Sequence, residues 1–224
     1  YARVAKKTRT HATVGSSCPK AVLFEGPPGT GKTLSARIIA GSSGQSLIHI
    51  PIESVVSKWY GESEKKLARV LELAGQLPGG GAVVFIDEID GLVVSREAGM
   101  HEASRRILSV LLQTLEGFHG RGKGMLLVCA TNRKQDLDDA LLSRFDLTVP
   151  FPLPDTATRT SVFRAYAQQL DANALARLSE ASEGFSCRDI VECSLDAERR
   201  WAGRMLSNKE KSLPDAPDVE QYLE

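Results

Sequence analysis

Five short apolar runs mark the first two thirds of the chain: residues 21–24 (AVLF), 47–52 (LIHIPI), 82–86 (AVVFI), 125–130 (MLLVCA) and 147–151 (LTVPF). Each is short and largely apolar, and reads as a buried strand. Helical periodicity fills the gaps. Residues 62–77 place Leu67, Val70, Leu71 and Ala74 on one face, and 101–116 do the same with Ile107, Leu108, Leu111, Leu112 and Leu115. Strand and helix in repetition predict an α/β fold, a parallel sheet sandwiched by helices. The pattern changes at VPFPLPD, residues 149–155, where three prolines in five positions break helix and strand alike. Beyond it only helical patterns occur, over 156–170, 172–181 and 187–206, and then a polar tail from 211 with Pro214, Pro217 and a short final helix. The expected organisation is an N-terminal helix or linker (1–19), a large α/β domain (20–153) and a small all-α domain (154–224).

Composition adds limits. The chain is 42% apolar and 25% charged, with a formal net charge of zero, so there is no general attraction to nucleic acid or to an anionic membrane. Residues 1–20 are the exception, with Arg3, Lys6, Lys7, Arg9 and Lys20 and no acid. The plain reading of that stretch is a solvated helix and linker. Cys18, Cys129, Cys187 and Cys193 have neither metal-site spacing nor a paired framework, which points to an intracellular reducing compartment, cytoplasm or organelle interior. No apolar run approaches the ~20 residues of a membrane span. The chain opens on Tyr1 rather than a methionine, so a targeting segment cannot be read from it.

The chemistry lies at the ends of the apolar runs. GPPGTGKT, residues 26–33, follows the first run and opens a helical pattern, fitting G-x-x-x-x-G-K-[ST] in its strand–loop–helix context. Glycines let backbone N–H groups turn inward towards phosphate, and a helix starting near Lys32 adds its positive end. The candidate nucleotide-binding stretch is Gly26, Pro27, Pro28, Gly29, Thr30, Gly31, Lys32, Thr33 and Leu34. Lys32 supplies a cation for the β and γ phosphates, and Thr33 a hydroxyl for Mg²⁺. The third run ends in Asp87-Glu88. Asp87 suits the same Mg²⁺ through its water shell, and Glu88 suits a general base for the attacking water. Asn132 ends the fourth run. It either orients that water or simply makes an Asx turn; spacing leaves both open.

Taken together, GPPGTGKT (26–33), FIDEID (85–90), ATNR (130–133), LDDALLSRFD (137–146) and GFSCRDI (184–190) resemble the AAA module of the AAA+ ATPases, in the branch of katanin and spastin. The resemblance runs from about residue 20 to about 206. It implies a five-stranded parallel sheet, a helical lid, ATP with Mg²⁺ bound between the two, and a ring, usually of six subunits. It places Arg144 at the position of an arginine that completes a neighbour's site, and Gly184 and Ser186 near the base or ribose. The chain departs from the pattern at Ser143, where many relatives carry a second arginine, which puts the rate of hydrolysis and its coupling between subunits in question.

Two aromatics stand beside Gly61 in VVSKWYGESEKK, residues 55–66. By resemblance this is the loop facing the ring's pore, where Lys58, Trp59, Tyr60 and Gly61 would grip a threaded polypeptide. Aromatics bring contact area with little rotamer entropy to lose. On pattern alone Trp59 fits a core position equally well. A second loop, 95–106, resembles the second pore loop. The expected function is an ATP-hydrolysing motor that remodels or unfolds protein substrates as a homo-hexamer or in a mixed AAA+ ring. The alternatives are an ATP-binding scaffold subunit of a mixed ring and a DNA-associated loader. Zero net charge speaks against the loader, which needs a basic channel.

Overall fold

The computed structural model describes residues 18–52, 63–77, 81–92, 102–117, 125–207 and 216–223. The elements run β1 (Ala21–Glu25), α1 (Lys32–Ser43), β2 (Ser46–Pro51), α2 (Ser63–Ala74), β3 (Ala82–Asp87), α3 (Glu102–Gly117), β4 (Leu126–Thr131), α4 (Asp139–Leu142), β5 (Leu147–Pro150), α5 (Thr156–Tyr166), α6 (Ala172–Ala181), α7 (Cys187–Ser207) and α8 (Val219–Leu223). Short 3₁₀ turns cover Ile89–Leu92 and Lys134–Asp136. The chain divides into two compact units, one of 1–26 with 32–151 and one of 27–31 with 152–224.

In the first unit the five strands form one parallel sheet in the order β2-β3-β4-β1-β5. Side chains alternate across it, which explains the unbroken apolar runs. Leu23, Val84, Ile86, Leu127 and Cys129 share one core with Leu67 and Leu71 of α2 and Ile107, Leu111 and Leu115 of α3. Val22, Phe24, Phe85, Val128 and Ala130 face the other way, onto Ala36 and Ala40 of α1. The Phe24 and Phe151 rings meet there at 4.8 Å. Burial of Cys129 pushes its thiol up to about 12, which makes it an inert core residue. β2 departs from the expected buried strand. It lies at the sheet edge with a single strand neighbour, and of its residues only Ile50 is buried.

Three strands extend one residue past their apolar run, to Glu25, Asp87 and Thr131. Pairing carries them on: Glu25 stands opposite Thr131, and Pro51 opposite Asp87. The carboxyl ends of β1, β3 and β4 therefore carry polar residues side by side, at the sheet edge where ligands of open parallel α/β sheets bind.

In the second unit α5, α6, α7 and α8 enclose a core of Phe163, Leu175, Leu178, Ile190 and Tyr222. α5 starts on Asp155, whose carboxylate accepts from Thr158 N–H at 2.8 Å. Hydrogen bonding from the Thr158 side chain, and then from its N–H, holds the Asp155 carboxyl below its ordinary range, so the cap is intact above that range and weakens as pH falls through the lowered value. The helix stops short of the expected residue 170. Ala167 leaves the helical region, and Asp171 caps the next helix by accepting from Ala174 N–H at 2.8 Å. Arg159 is buried, but its guanidinium donates to the carbonyls of Ser179 and Pro154 at 2.8–2.9 Å, which satisfies the charge's donors. The tail contributes more than a polar loop, since Tyr222 is buried with its hydroxyl accepting from Gln169. Among the described residues no helix is long and apolar enough to cross a membrane.

Candidate functional site

The polar groups of the first unit converge at the carboxyl ends of β1, β3 and β4. Gly26 leaves β1 at φ +143°, with its N–H donating to the Thr131 carbonyl across the sheet. Lys32 opens α1 and is buried, so its ammonium must be paired. Its Nζ donates to the Gly26 carbonyl at 2.7 Å and to Asn132 Oδ1 at 2.8 Å. Thr33 Oγ1 donates to Asp87 Oδ2 at 3.0 Å, bringing together a hydroxyl and a carboxylate from α1 and β3. His49 Nε2 stands 4.0 Å from the same carboxylate oxygen. Leu34, next along α1, is exposed.

Glu88 is exposed, and its backbone stands at φ +55°. It is the one non-glycine residue with a positive φ among the described residues. That region is uncommon for a residue with a side chain, and holding it costs on the order of 1–3 kcal/mol. Two bonds hold the turn: Glu88 N–H donates to Asp87 Oδ1 at 3.0 Å, and Gly91 N–H donates to the Glu88 carbonyl at 3.0 Å.

Sequence reasoning missed two residues here. Asp90 Oδ1 accepts from Thr131 Oγ1 at 2.9 Å and from Asn132 N–H at 3.3 Å. Lys134 pairs with Glu25 at 2.8 Å, tying the segment after Asn132 to the end of β1. The third acid of FIDEID was visible, but its partners lie 41 and 42 residues away, and no local pattern names them.

Arg144 follows α4, and its Nη1 donates to the Ala140 carbonyl. Ser143 caps the same short helix, its N–H reaching the Asp139 carbonyl at 2.9 Å. Asp146 has a structural part that the sequence did not suggest: its carboxylate accepts from the N–H groups of Lys20 and Ala21 at 2.7 and 3.0 Å, at the start of β1.

In the second unit, residues 27–31 form the body of the phosphate-loop motif. Thr30 Oγ1 donates to the Pro27 carbonyl at 2.8 Å, while Gly29 and Gly31 take φ +74° and +98°. Gly29 lies close to the start of α7: its carbonyl accepts from Arg188 N–H at 3.1 Å, and a Cβ on Gly29 would come within 2.4 Å of Ser186 Oγ. Ser186 is buried and forms a reciprocal cap, its N–H donating to Asp189 Oδ2 at 2.8 Å and its Oγ accepting from Asp189 N–H at 3.3 Å. Gly184 stands at φ +83° just before it. Lys58, Trp59, Tyr60 and Gly61 lie outside the described residues, as does the second candidate loop up to residue 101.

Comparison with known proteins matches this geometry to a family. The profile of the AAA family, described as "ATPase family associated with various cellular activities", matches residues 22–153. The chain is 38% identical over 184 residues to Spastin of Drosophila persimilis, covering 80% of this chain and 23% of that protein. Spastin of Ixodes scapularis is 37% identical, with 80% and 28% covered. The chain thus spans about a quarter of the length of these curated relatives. Among solved structures, the FIGL-1 AAA domain superposes with a TM-score of 0.80 at 31% identity, covering 99% of this chain and 74% of that one. The FIGL-1 AAA domain in complex with ADP gives 0.76 at 32%, with 92% and 70% covered. A matching profile over more than half of the chain, on a fold shared nearly end to end, places this protein in the AAA family of nucleotide-binding ATPases.

Proposed function

We propose that this chain hydrolyses ATP with Mg²⁺ and, assembled in a ring, uses the cycle to remodel protein substrates. The observation that carries the reading is the pairing of Thr33 with Asp87 at 3.0 Å beside a buried Lys32 held by Asn132. A hydroxyl and a carboxylate from two elements form the hard-oxygen donor set that Mg²⁺ takes, so the residues fit the ion. Thr33 and, through water, Asp87 would hold it; when bound, it neutralises charge developing on the phosphates. Lys32 presents its ammonium to the phosphates, and Gly29, Thr30 and Gly31 offer backbone N–H groups. Glu88 accepts the proton of the attacking water, and Asn132 orients that water. Gly184 and Ser186 flank the nucleoside side. Four free thiols suit the reducing interior we assign to the protein.

In this reading Arg144 acts in trans in a homo-hexamer or a mixed AAA ring, where its charge stabilises the transferring phosphoryl group. The decisive experiment is steady-state ATP hydrolysis against the chain's own concentration. The specific rate climbs with concentration, and Arg144→Ala lowers kcat by roughly 10³-fold, the low end for an arginine finger. A flat, negligible rate with tight ATP binding would support the second reading instead, a scaffold subunit whose partners supply the arginine that Ser143 replaces. The motor half of the proposal rests on the aromatic loop. Trp59→Ala spares ATP turnover and abolishes substrate remodelling, and loss of nucleotide binding in that variant would remove Trp59 from the pore.

A further inference from the structure

The hydrogen-bond ladder between β3 and β4 runs only as far as Ile86 opposite Cys129. Beyond that pair both strands turn into the residues proposed for chemistry, Glu88 on one side and Asn132 on the other. No backbone pairing sets the distance between those two turns. A side chain does so instead.

Asp90 lies in the 3₁₀ turn that carries Glu88, and the Gly91 N–H to Glu88 carbonyl bond closes that turn. Its Oδ1 receives both the Thr131 hydroxyl at 2.9 Å and the Asn132 N–H at 3.3 Å. Thr131 is 1% exposed, and its hydroxyl is committed at both ends, donating to Asp90 and accepting from Arg133 N–H at 3.0 Å. Asn132 then holds Lys32 through Oδ1 at 2.8 Å. One carboxylate oxygen therefore joins the Glu88 turn to the Asn132 turn, at the point where the sheet stops joining them.

We infer that Asp90 is a positioning residue for turnover, acting through Thr131 on Asn132 and fixing its distance from Glu88. The inference rests on the ATPase reading above and deepens it. Asp90 needs only to accept hydrogen bonds. An asparagine therefore does its work through Oδ1, and an alanine cannot. A displacement of about 1 Å in a water-orienting group costs about 10²-fold in rate, so the effect falls on kcat. Lys32 keeps its bond to the Gly26 carbonyl at 2.7 Å, so the KM for ATP changes far less than kcat.

The test is a set of variants measured for kcat, KM and fluorescent-nucleotide affinity. Asp90→Ala lowers kcat by about 10- to 100-fold, and Thr131→Val does the same by removing the donor. The double variant is no slower than Asp90→Ala alone, since that change already removes both bonds to Oδ1. Asp90→Asn and Thr131→Ser, which keep the acceptor and the hydroxyl, stay within about threefold of wild type. Three results overturn the inference while leaving the ATPase reading intact: an Asp90→Ala enzyme with wild-type kcat, single effects that multiply in the double variant, or an Asp90→Asn enzyme as slow as Asp90→Ala. If Asp90→Ala does not fold, the Thr131→Val and Thr131→Ser pair decides alone. A wild-type chain that neither binds nor turns over nucleotide overturns the ATPase reading itself, and this inference with it.

Discussion

Glu88→Gln keeps nucleotide binding and lowers turnover by about 10²- to 10⁴-fold. The amide has the shape of the carboxylate, and it loses the one property that general-base chemistry needs. Stability changes little, because the Glu88 side chain is exposed and the bonds that hold its turn are made by the backbone. The positive φ is the same for both residues. Steady-state hydrolysis and a fluorescent-nucleotide titration on the same preparation check this outcome. Unchanged affinity with collapsed kcat assigns the proton to Glu88. Normal turnover would remove Glu88 from that role and leave its strained backbone without a catalytic explanation.

Gly26→Ala gives the largest loss of structure. A Cβ at this position would sit 2.1 Å from the Phe151 carbonyl oxygen, at a φ of +143° that side chains rarely adopt. Neither partner gives way easily. Phe151 N–H is bonded to the Glu25 carbonyl at 2.7 Å, and Gly26 N–H to the Thr131 carbonyl at 3.3 Å. Relief must come from moving the loop, and the Gly26 carbonyl that anchors Lys32 moves with it. Backbone strain and overpacking together cost about 3–5 kcal/mol, and nucleotide affinity falls as well. Gly31→Ala is the matched control. It stands at φ +98°, but a Cβ there meets nothing within 4 Å, so its cost is strain alone, about 1–2 kcal/mol. Thermal unfolding of both variants, with and without nucleotide, separates the two terms. Equal destabilisation would mean that the close approach at Phe151 carries no weight.

The residues legible before the fold was known are those whose meaning is local. The phosphate-loop motif needs spaced glycines, a lysine and a threonine between a strand and a helix, and all of that lies within 26–33. The strands β1, β3 and β4 betrayed themselves by unbroken apolar runs, because a central parallel strand is buried on both faces. The edge position of β2 had only a weak local sign, His49 and Pro51 alternating with isoleucines in LIHIPI, and the strand order is what exposes it. The stop of α5 at Tyr166 was missed because the periodicity runs on to residue 170, while the cap at Asp171 starts a new helix.

By itself, then, the sequence determined the α/β order followed by helices, and it put the GPPGTGKT loop, Asp87 and Glu88 at the ends of their strands. Each follows from neighbours a few residues apart, through backbone preference and hydrophobic period. Only the tertiary structure decided that Lys32 rests on Asn132, 100 residues later, that Asp90 joins β3 to Thr131, and that Asp146 caps the start of β1 from 125 residues away. Those bonds form because parallel strands distant in the chain end side by side, and polar groups at such an edge must find partners among whatever the topology brings there.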